Sequence, residues 1–263
     1  MSLKQRIVAR LNRAPWMGGR DRGSRGAPAA QPSSLFVSTP VVGNGERETA
    51  FLQSLPWEGL TVYDVGGDQG SYAIFFARRV GMAGRVVVFE PHRGSCERIE
   101  QRVTVNGFQN VRIIPVGLGE QRETVEFTIP CRDPSRGTAI GSIGPCIRAD
   151  GDGEVSRVEI NSLDDEIRSC DLPAPDFIKL DIEGMEYAAL RGMRKTIRTH
   201  RPRLFIEMHG CASLEERTGS PRGVVALLES QGYRLRRIES GEVVHSTAAA
   251  SVRSGHYYCV PVP

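Results

Sequence analysis

The sequence predicts an α/β fold: a seven-stranded, mostly parallel sheet with helices on both faces and an antiparallel last strand. Three observations carry this. Short apolar runs at 60–65, 85–90, 110–116, 176–181 and 203–209 read as buried strands. Helical patterns separate them, so strand and helix alternate as in βαβ units, whose parallel strands are usually neighbours. A glycine turn, Asp64-Val-Gly-Gly-Asp-Gln-Gly70, joins the first strand to a helix pattern (Tyr72, Ile74, Phe75, Phe76, Val80).

Composition bounds the rest. At 263 residues and 40% hydrophobic, the chain can build one large α/β domain, or one domain with appendages. A net charge of +3 does not demand a nucleic-acid partner. There is no apolar run of membrane-spanning length and no signal-peptide core. The 6 cysteines are scattered without a C-x-x-C pair, which reads as reduced, cytoplasmic and free of a zinc site.

Residues 1–34 differ from the rest. Lys4, Arg6, Arg10, Arg13, Arg20, Arg22 and Arg25 face one acid, Asp21. Leu3, Ile7, Val8 and Leu11 share a helical face, so this stretch can touch an anionic membrane surface or a partner. A frayed, solvated tail is the plainer reading. Residues 18–34 are Gly-, Pro-, Ala- and Ser-rich and read as a linker. The folded domain is placed at 35–263, with a first helix at 46–55.

The glycine turn carries the first chemical signal. Strand, turn and helix make a nucleotide-type cradle, where Gly66, Gly67 and Gly70 let backbone approach a ligand and the helix offers free N–H groups. A dinucleotide fingerprint is not met, because Val65 stands where its first glycine belongs. Asp64 ends the strand instead. A carboxylate there repels a pyrophosphate and attracts an ammonium, which favours S-adenosylmethionine (SAM) over NAD. An ordinary βα turn with a capping acid is the bland alternative. Glu90 ends the second strand 20 residues after Gly70, where an acid can accept both ribose hydroxyls of an adenosine. A helix at 95–106 and a third strand follow. Gly117-Leu118-Gly119 then places Leu118 against a flat ring such as adenine, or makes a plain turn.

Residues 123–129 alternate and pair with 155–160. The Gly/Pro-containing 130–153 segment between them reads as part of a substrate lid. Ser162 caps a short helix. The second chemical signal is Asp176-Phe-Ile-Lys-Leu-Asp-Ile-Glu-Gly184. Strand period 2 puts Lys179 and Asp181 on one side, with Glu183 following. A helix at 187–199 leads to the strand at 203–209, where Glu207 and His209 share a side. Asp181, Glu183, Glu207 and His209 therefore converge at the carboxyl edge of the sheet, where α/β proteins bind ligands. A salt-bridge network in which Lys179 neutralises Asp181 or Glu207 is the structural alternative. A helix at 221–231, a strand at 232–239, a turn with a short strand to Val244, and a strand at 256–260 finish the chain. The last is read as an antiparallel strand at the sheet edge.

The chain resembles the class I SAM-dependent methyltransferases, with their Rossmann-like sheet, and more closely the FkbM family. The resemblance rests on Asp64 to Gly70, Val88-Phe-Glu-Pro91, Ser162-Leu-Asp164, Lys179-Leu-Asp-Ile-Glu-Gly184 with Glu186, and Pro202 through Glu207-Met-His209. The family often has Asn where Asp68 stands. The resemblance implies O-methylation of a sugar hydroxyl in a glycan or glycosylated metabolite, or of a polyketide-type hydroxyl, with no nucleic-acid partner. SAM is the cofactor it implies.

In that reading SAM lies over the first three strands and the acceptor over the fourth and fifth. His209 has the intrinsic pKa nearest neutrality and is the expected general base. Glu207 orients it or holds an acceptor hydroxyl, and Asp181 does the same or helps place the SAM amino acid end. The Asp/Glu/His mixture also resembles a divalent-metal site, but no spacing is diagnostic and no metal is predicted. Two alternatives remain: a methyltransferase acting on nitrogen of a nucleic acid or protein, and a non-catalytic SAM-binding scaffold.

Overall fold

The computed structural model describes residues 46–130, 142–143, 153–209, 221–248 and 252–262. The basic tail (1–34) and most of the 130–153 segment lie outside the described residues. Helix α1 (Glu46–Ser54) precedes β1 (Thr61–Val65), α2 (Ser71–Val80), β2 (Arg85–Phe89), α3 (Arg93–Val105) and β3 (Val111–Ile114). Next come β4 (Gly117–Leu118), β5 (Glu123–Pro130), β6 (Ser142–Ile143), β7 (Gly153–Asn161) and α4 (Leu163–Ser169). Strand β8 (Phe177–Leu180), α5 (Glu186–Gly192), α6 (Arg194–His200) and β9 (Arg203–Met208) follow. The chain ends with α7 (Pro221–Ser230), β10 (Tyr233–Arg237), β11 (Val243–Val244) and β12 (Gly255–Pro261).

The large sheet has the order β11-β10-β12-β9-β8-β1-β2-β3. Its β3, β2, β1, β8 and β9 are parallel, as the alternating pattern predicts. Strand β12 is antiparallel, also as predicted, but it is not at the edge. It lies between β9 and β10 and pairs with both. Tyr257 and Cys259 are fully buried, and a strand with such residues belongs inside a sheet. The short β11 forms the edge and raises the count to eight strands. A smaller sheet, β4-β7-β5-β6, contains the expected pairing of residues 123–129 with the 155–160 run.

Strand period 2 separates the apolar residues into two clusters, one on each face. Tyr63, Val65, Val87, Phe89, Ile178, Leu180 and Ile206 pack with residues of α4 to α7. Val62, Val86, Val88, Phe177 and Phe205 point the other way and pack with Leu52, Trp57, Phe76 and Ile99, from α1 to α3 and the α1–β1 loop. The single helix expected at 187–199 is two helices, α5 and α6, broken at Met193. The break has two causes. A Cβ on Gly192 would lie 1.9 Å from the Gly119 carbonyl, so backbone from the end of β4 abuts the last turn of α5. Asp164 of α4 then caps α6, accepting from the backbone N–H groups of Lys195 (2.9 Å) and Thr196 (2.8 Å). Ser162 caps α4 through Asp165 N at 3.2 Å, as predicted. Among the described residues no helix is long and apolar enough to cross a membrane.

Trp57, Phe76 and Phe177 form the aromatic centre of the second cluster, with Trp57 4.7 Å from Phe177 and 5.0 Å from Phe76 between ring centroids. Phe177→Ala is expected to lower stability by about 3–5 kcal/mol, the range for a large aromatic truncated in a core. Urea denaturation followed by circular dichroism measures it, and a loss under about 1 kcal/mol would contradict this packing.

Candidate active site

Four of the five parallel strands, β1, β2, β8 and β9, end in a charged group on one face. Val62 is followed two residues on by Asp64, Val88 by Glu90, Phe177 by Lys179 and Asp181, and Phe205 by Glu207. Strand β12 runs the other way, and register sets its His256 opposite Glu207. The apolar rows pack under α1, α2 and α3, and the polar row lies at the carboxyl edge of the parallel strands.

Asp64 and Lys179 pair in register across β1 and β8. Both are buried. The Lys179 ammonium lies 3.0 Å from Asp181 Oδ2 and 3.6 Å from Asp64 Oδ1. It also donates to the Gly66 carbonyl at 3.3 Å and sits 4.2 Å from the centre of the Tyr72 ring. Burial opposes its charge, but Asp181 and Asp64 outweigh burial and hold it above the ordinary lysine range. Asp64 moves differently. Burial pushes its carboxyl up to about 6 despite Lys179, because the ammonium sits nearer Asp181. Neither Asp64 oxygen accepts a hydrogen bond among the described residues. The salt-bridge alternative is therefore present in part: Lys179 serves Asp181 and Asp64, not Glu207.

The glycines act first on the chain itself. A Cβ on Gly66 would lie 1.9 Å from the Asp181 carbonyl, and one on Gly67 would lie 2.5 Å from Val88 Cγ1. Gly66 and Gly70 also have positive φ, 85° and 78°. The turn is thus pressed between β8 and β2. Gly70 precedes α2 and brings no side-chain cap, and among the described residues no side chain caps that N-terminus. Asp68 adopts φ 41°, a left-handed conformation that Asn and Asp tolerate better than most residues. Its N–H donates to Glu90 Oε2 at 2.9 Å, and His92 N donates to Glu90 Oε1 at 2.8 Å. Burial nevertheless pushes the Glu90 carboxyl up to about 7. Arg102 of α3 holds the turn from the other side by donating to the Gln69 carbonyl. Leu118 of β4 is buried in the first core cluster.

Asp181, Glu183, Glu207 and His209 come together as expected. His209 Nε2 lies 3.5 Å from Glu207 Oε1 and 3.7 Å from Glu183 Oε2, and Nδ1 lies 3.1 Å from Glu186 Oε1. Glu186 is buried and also accepts from Gly184 N at 3.0 Å. Burial works against a charged ring here, but Glu186 and Glu207 outweigh it and push His209 up to about 11. At neutral pH the ring already holds its proton, which changes the role expected for it. Glu207 is held well below the usual carboxylate range by His209 and His256. Burial raises Glu183, which has a left-handed backbone (φ 52°), rare for a non-glycine residue. Asp181, Glu207 and His209 each offer a ligand atom within 4.8 Å of the others, so a divalent cation can be accommodated there. Lys179 and the His209 ring already supply positive charge to these carboxylates.

Glu48, Tyr72 and His256 also belong to this network, and sequence reading did not single them out as site residues. His256 Nε2 lies 3.3 Å from Glu48 Oε2 and 3.4 Å from Glu207 Oε2. The Tyr72 hydroxyl donates to Glu48 Oε1. One signal was available: Glu48 stands four residues before buried Leu52, so an acid occupies the inner stripe of α1.

A mostly parallel sheet with one antiparallel strand slotted inside it, and acids ending its first two strands, is the architecture of the class I methyltransferases. Residues 64–235 match the model of the Methyltransferase FkbM domain, and the chain belongs to that family. Among solved structures, it is similar to Methyltransferase FkbM from Methylobacillus flagellatus KT (20% identity, TM-score 0.49), covering 79% of this chain and 45% of that one. It thus spans less than half of that protein's length. It is also similar to a SAM dependent methyltransferase from Aquifex aeolicus (18% identity, 82% and 87% covered, TM-score 0.42). A third is a SAM-dependent O-methyltransferase from Thermotoga maritima (13% identity, 86% and 68% covered, TM-score 0.43). No curated protein matches the chain.

The raised Glu90 carboxyl has a consequence for stability. Its ordinary value is 4.5 and its folded value about 7. Between those values the native state holds a proton that the unfolded chain has lost, so stability falls as pH rises through that window. Glu90→Gln removes this dependence. Its stability relative to the parent is expected to improve from about pH 5 to about pH 8, measured by urea midpoints across that range. A gap constant with pH would contradict the buried-carboxyl account.

Proposed function

We propose that the protein transfers a methyl group from SAM to a hydroxyl of a sugar, a glycosylated metabolite or a polyketide-type compound. One observation carries the reading. Asp64 is fully buried near the N-terminus of α2, and among the described residues neither of its oxygens accepts a hydrogen bond and no side chain caps that helix, while acids and one histidine line the next two strand ends. Asp64 and the N-terminus of α2 suit the ammonium and carboxylate of an amino acid end. Glu90 suits two ribose hydroxyls, because its oxygens each accept one backbone N–H and keep a lone pair. These residues fit SAM, which supplies an activated methyl group when bound.

The remaining residues align the acceptor and take its proton. Glu183 is the acceptor of that proton. Its carboxyl is raised by burial, its side chain is 31% exposed, and it faces the His209 ring. A carboxylate with a raised pKa takes a proton more readily than one held low, such as Glu207. His209 carries a positive charge that steadies Glu183, Glu207 and the acceptor oxygen. Asp181 is fixed by Lys179 and orients the hydroxyl. The reaction takes place in the cytoplasm on a small-molecule or glycan acceptor.

A panel of hydroxyl compounds with methyl-labelled SAM identifies the acceptor. On it, Glu183→Gln is expected to lose about 10²–10⁴ in kcat. Calorimetry should give unchanged affinity for S-adenosylhomocysteine in Glu183→Gln, and a loss of about 1–3 kcal/mol in Glu90→Ala. Near-parental kcat in Glu183→Gln would remove that residue from its role. Label transferred only to amines would remove the hydroxyl reading.

A further inference from the structure

Glu48 and His256 both lie outside the 64–235 stretch matched to the family, yet both reach the polar edge. Helix α1 has two buried residues, Leu52 and Glu48. A carboxylate at the centre of an inner helix face is costly to bury and needs partners. Its partners are the Tyr72 hydroxyl and the His256 ring.

His256 is held on every side. Its ring stacks on Phe205, with centroids 5.7 Å apart and planes at 26°. Glu239 Oε1 accepts from His256 N at 2.8 Å and lies 2.9 Å from Nδ1. That contact turns Nε2 toward the gap between Glu48 Oε2 and Glu207 Oε2. Glu207 is in turn divided between two rings, with Oε2 toward His256 and Oε1 toward His209. Carboxylate and imidazole thus alternate along one line: Glu48, His256, Glu207, His209, Glu186.

We propose that His256, itself seated by Glu48 and Glu239, is a positioning residue that fixes the rotamer of Glu207 and through it the direction of the His209 ring. The inference rests on the site proposed above but concerns groups that do not touch the acceptor. A half-exposed glutamate on a strand end otherwise samples several rotamers. With both oxygens engaged it has one, and His209 Nε2 is then aimed at Glu183. The entry of β12 beside β9 is what makes the device possible, because register there sets His256 opposite Glu207.

The test uses protein labelled with ¹⁵N-histidine and observes the His209 Nε2–H proton by NMR, its signal assigned by its loss in His209→Gln. In the parent this proton should exchange slowly with water. In His256→Ala its exchange should quicken by about tenfold or more, because Glu207 is released. His256→Gln, whose amide can still donate to Glu207, should restore most of the protection. Should His256→Ala melt below the working temperature, Glu48→Gln takes the same measurement and should show a smaller loss. Unchanged exchange in the alanine variant, or equal loss with alanine and glutamine, would overturn the proposal. The comparison needs no acceptor, so it is decided even if no hydroxyl compound is methylated. On an acceptor that the parent does turn over, His256→Ala should lower kcat about tenfold or more with the KM for SAM unchanged. A change in KM for SAM alone would likewise overturn it.

Discussion

The Lys179 ammonium is the constraint on which the site depends. It is almost fully buried between two carboxylates, below the Tyr72 ring, and it holds the Gly66 carbonyl. A charge so placed is stable only with its partners, and removing one partner of a buried pair costs about 3–5 kcal/mol. Its contacts join four segments: the end of β1, the glycine turn, the first turn of α2 and the exit of β8. The turn can then press against Asp181, which leaves no room for a side chain at Gly66. Lys179 also divides its charge unequally. Asp181 is the better neutralised, and Asp64 keeps a raised carboxyl with free lone pairs.

That inequality sets up the division of the site. On the β1–β2 side stand Asp64, Glu90 and the N-terminus of α2, which suit a cofactor with an amino acid end and a ribose. On the β8–β9 side stand Asp181, Glu183, Glu207 and His209, more open to solvent and densely charged. Each carboxylate in the second group has a cation within reach, and burial raises the Glu183 carboxyl while two histidines hold Glu207 low. In the proposed reaction, proton transfer and orientation fall to different residues of one cluster.

Much of this was legible in the sequence because strand period is short and strict. Placing Lys179, Asp181, Glu207 and His209 on one side needs only alternation, and the parallel βαβ order brings β8 beside β9. The glycine turn and Glu90 follow from spacing. Other features depend on long-range contacts that no local pattern encodes. The insertion of β12 between β9 and β10 is one, and it brings His256 to the edge. Glu48 comes from a helix distant in sequence. The break at Met193 arises from Gly119 and Asp164, which lie on other elements. The state of His209 was read from its intrinsic pKa, but three carboxylates around one ring decide it instead.

The central claim is that one face of the sheet seats the cofactor at Asp64 and Glu90 and directs its reactive end toward the Asp181–Glu183–Glu207–His209 cluster. A crystal structure with S-adenosylhomocysteine measures this most directly. The account predicts the ribose hydroxyls on Glu90, the amino acid end at Asp64 and the first turn of α2, and the sulfur facing Glu183 and His209. A ligand bound elsewhere, or with its ribose away from Glu90 and its sulfur turned from the cluster, would contradict it.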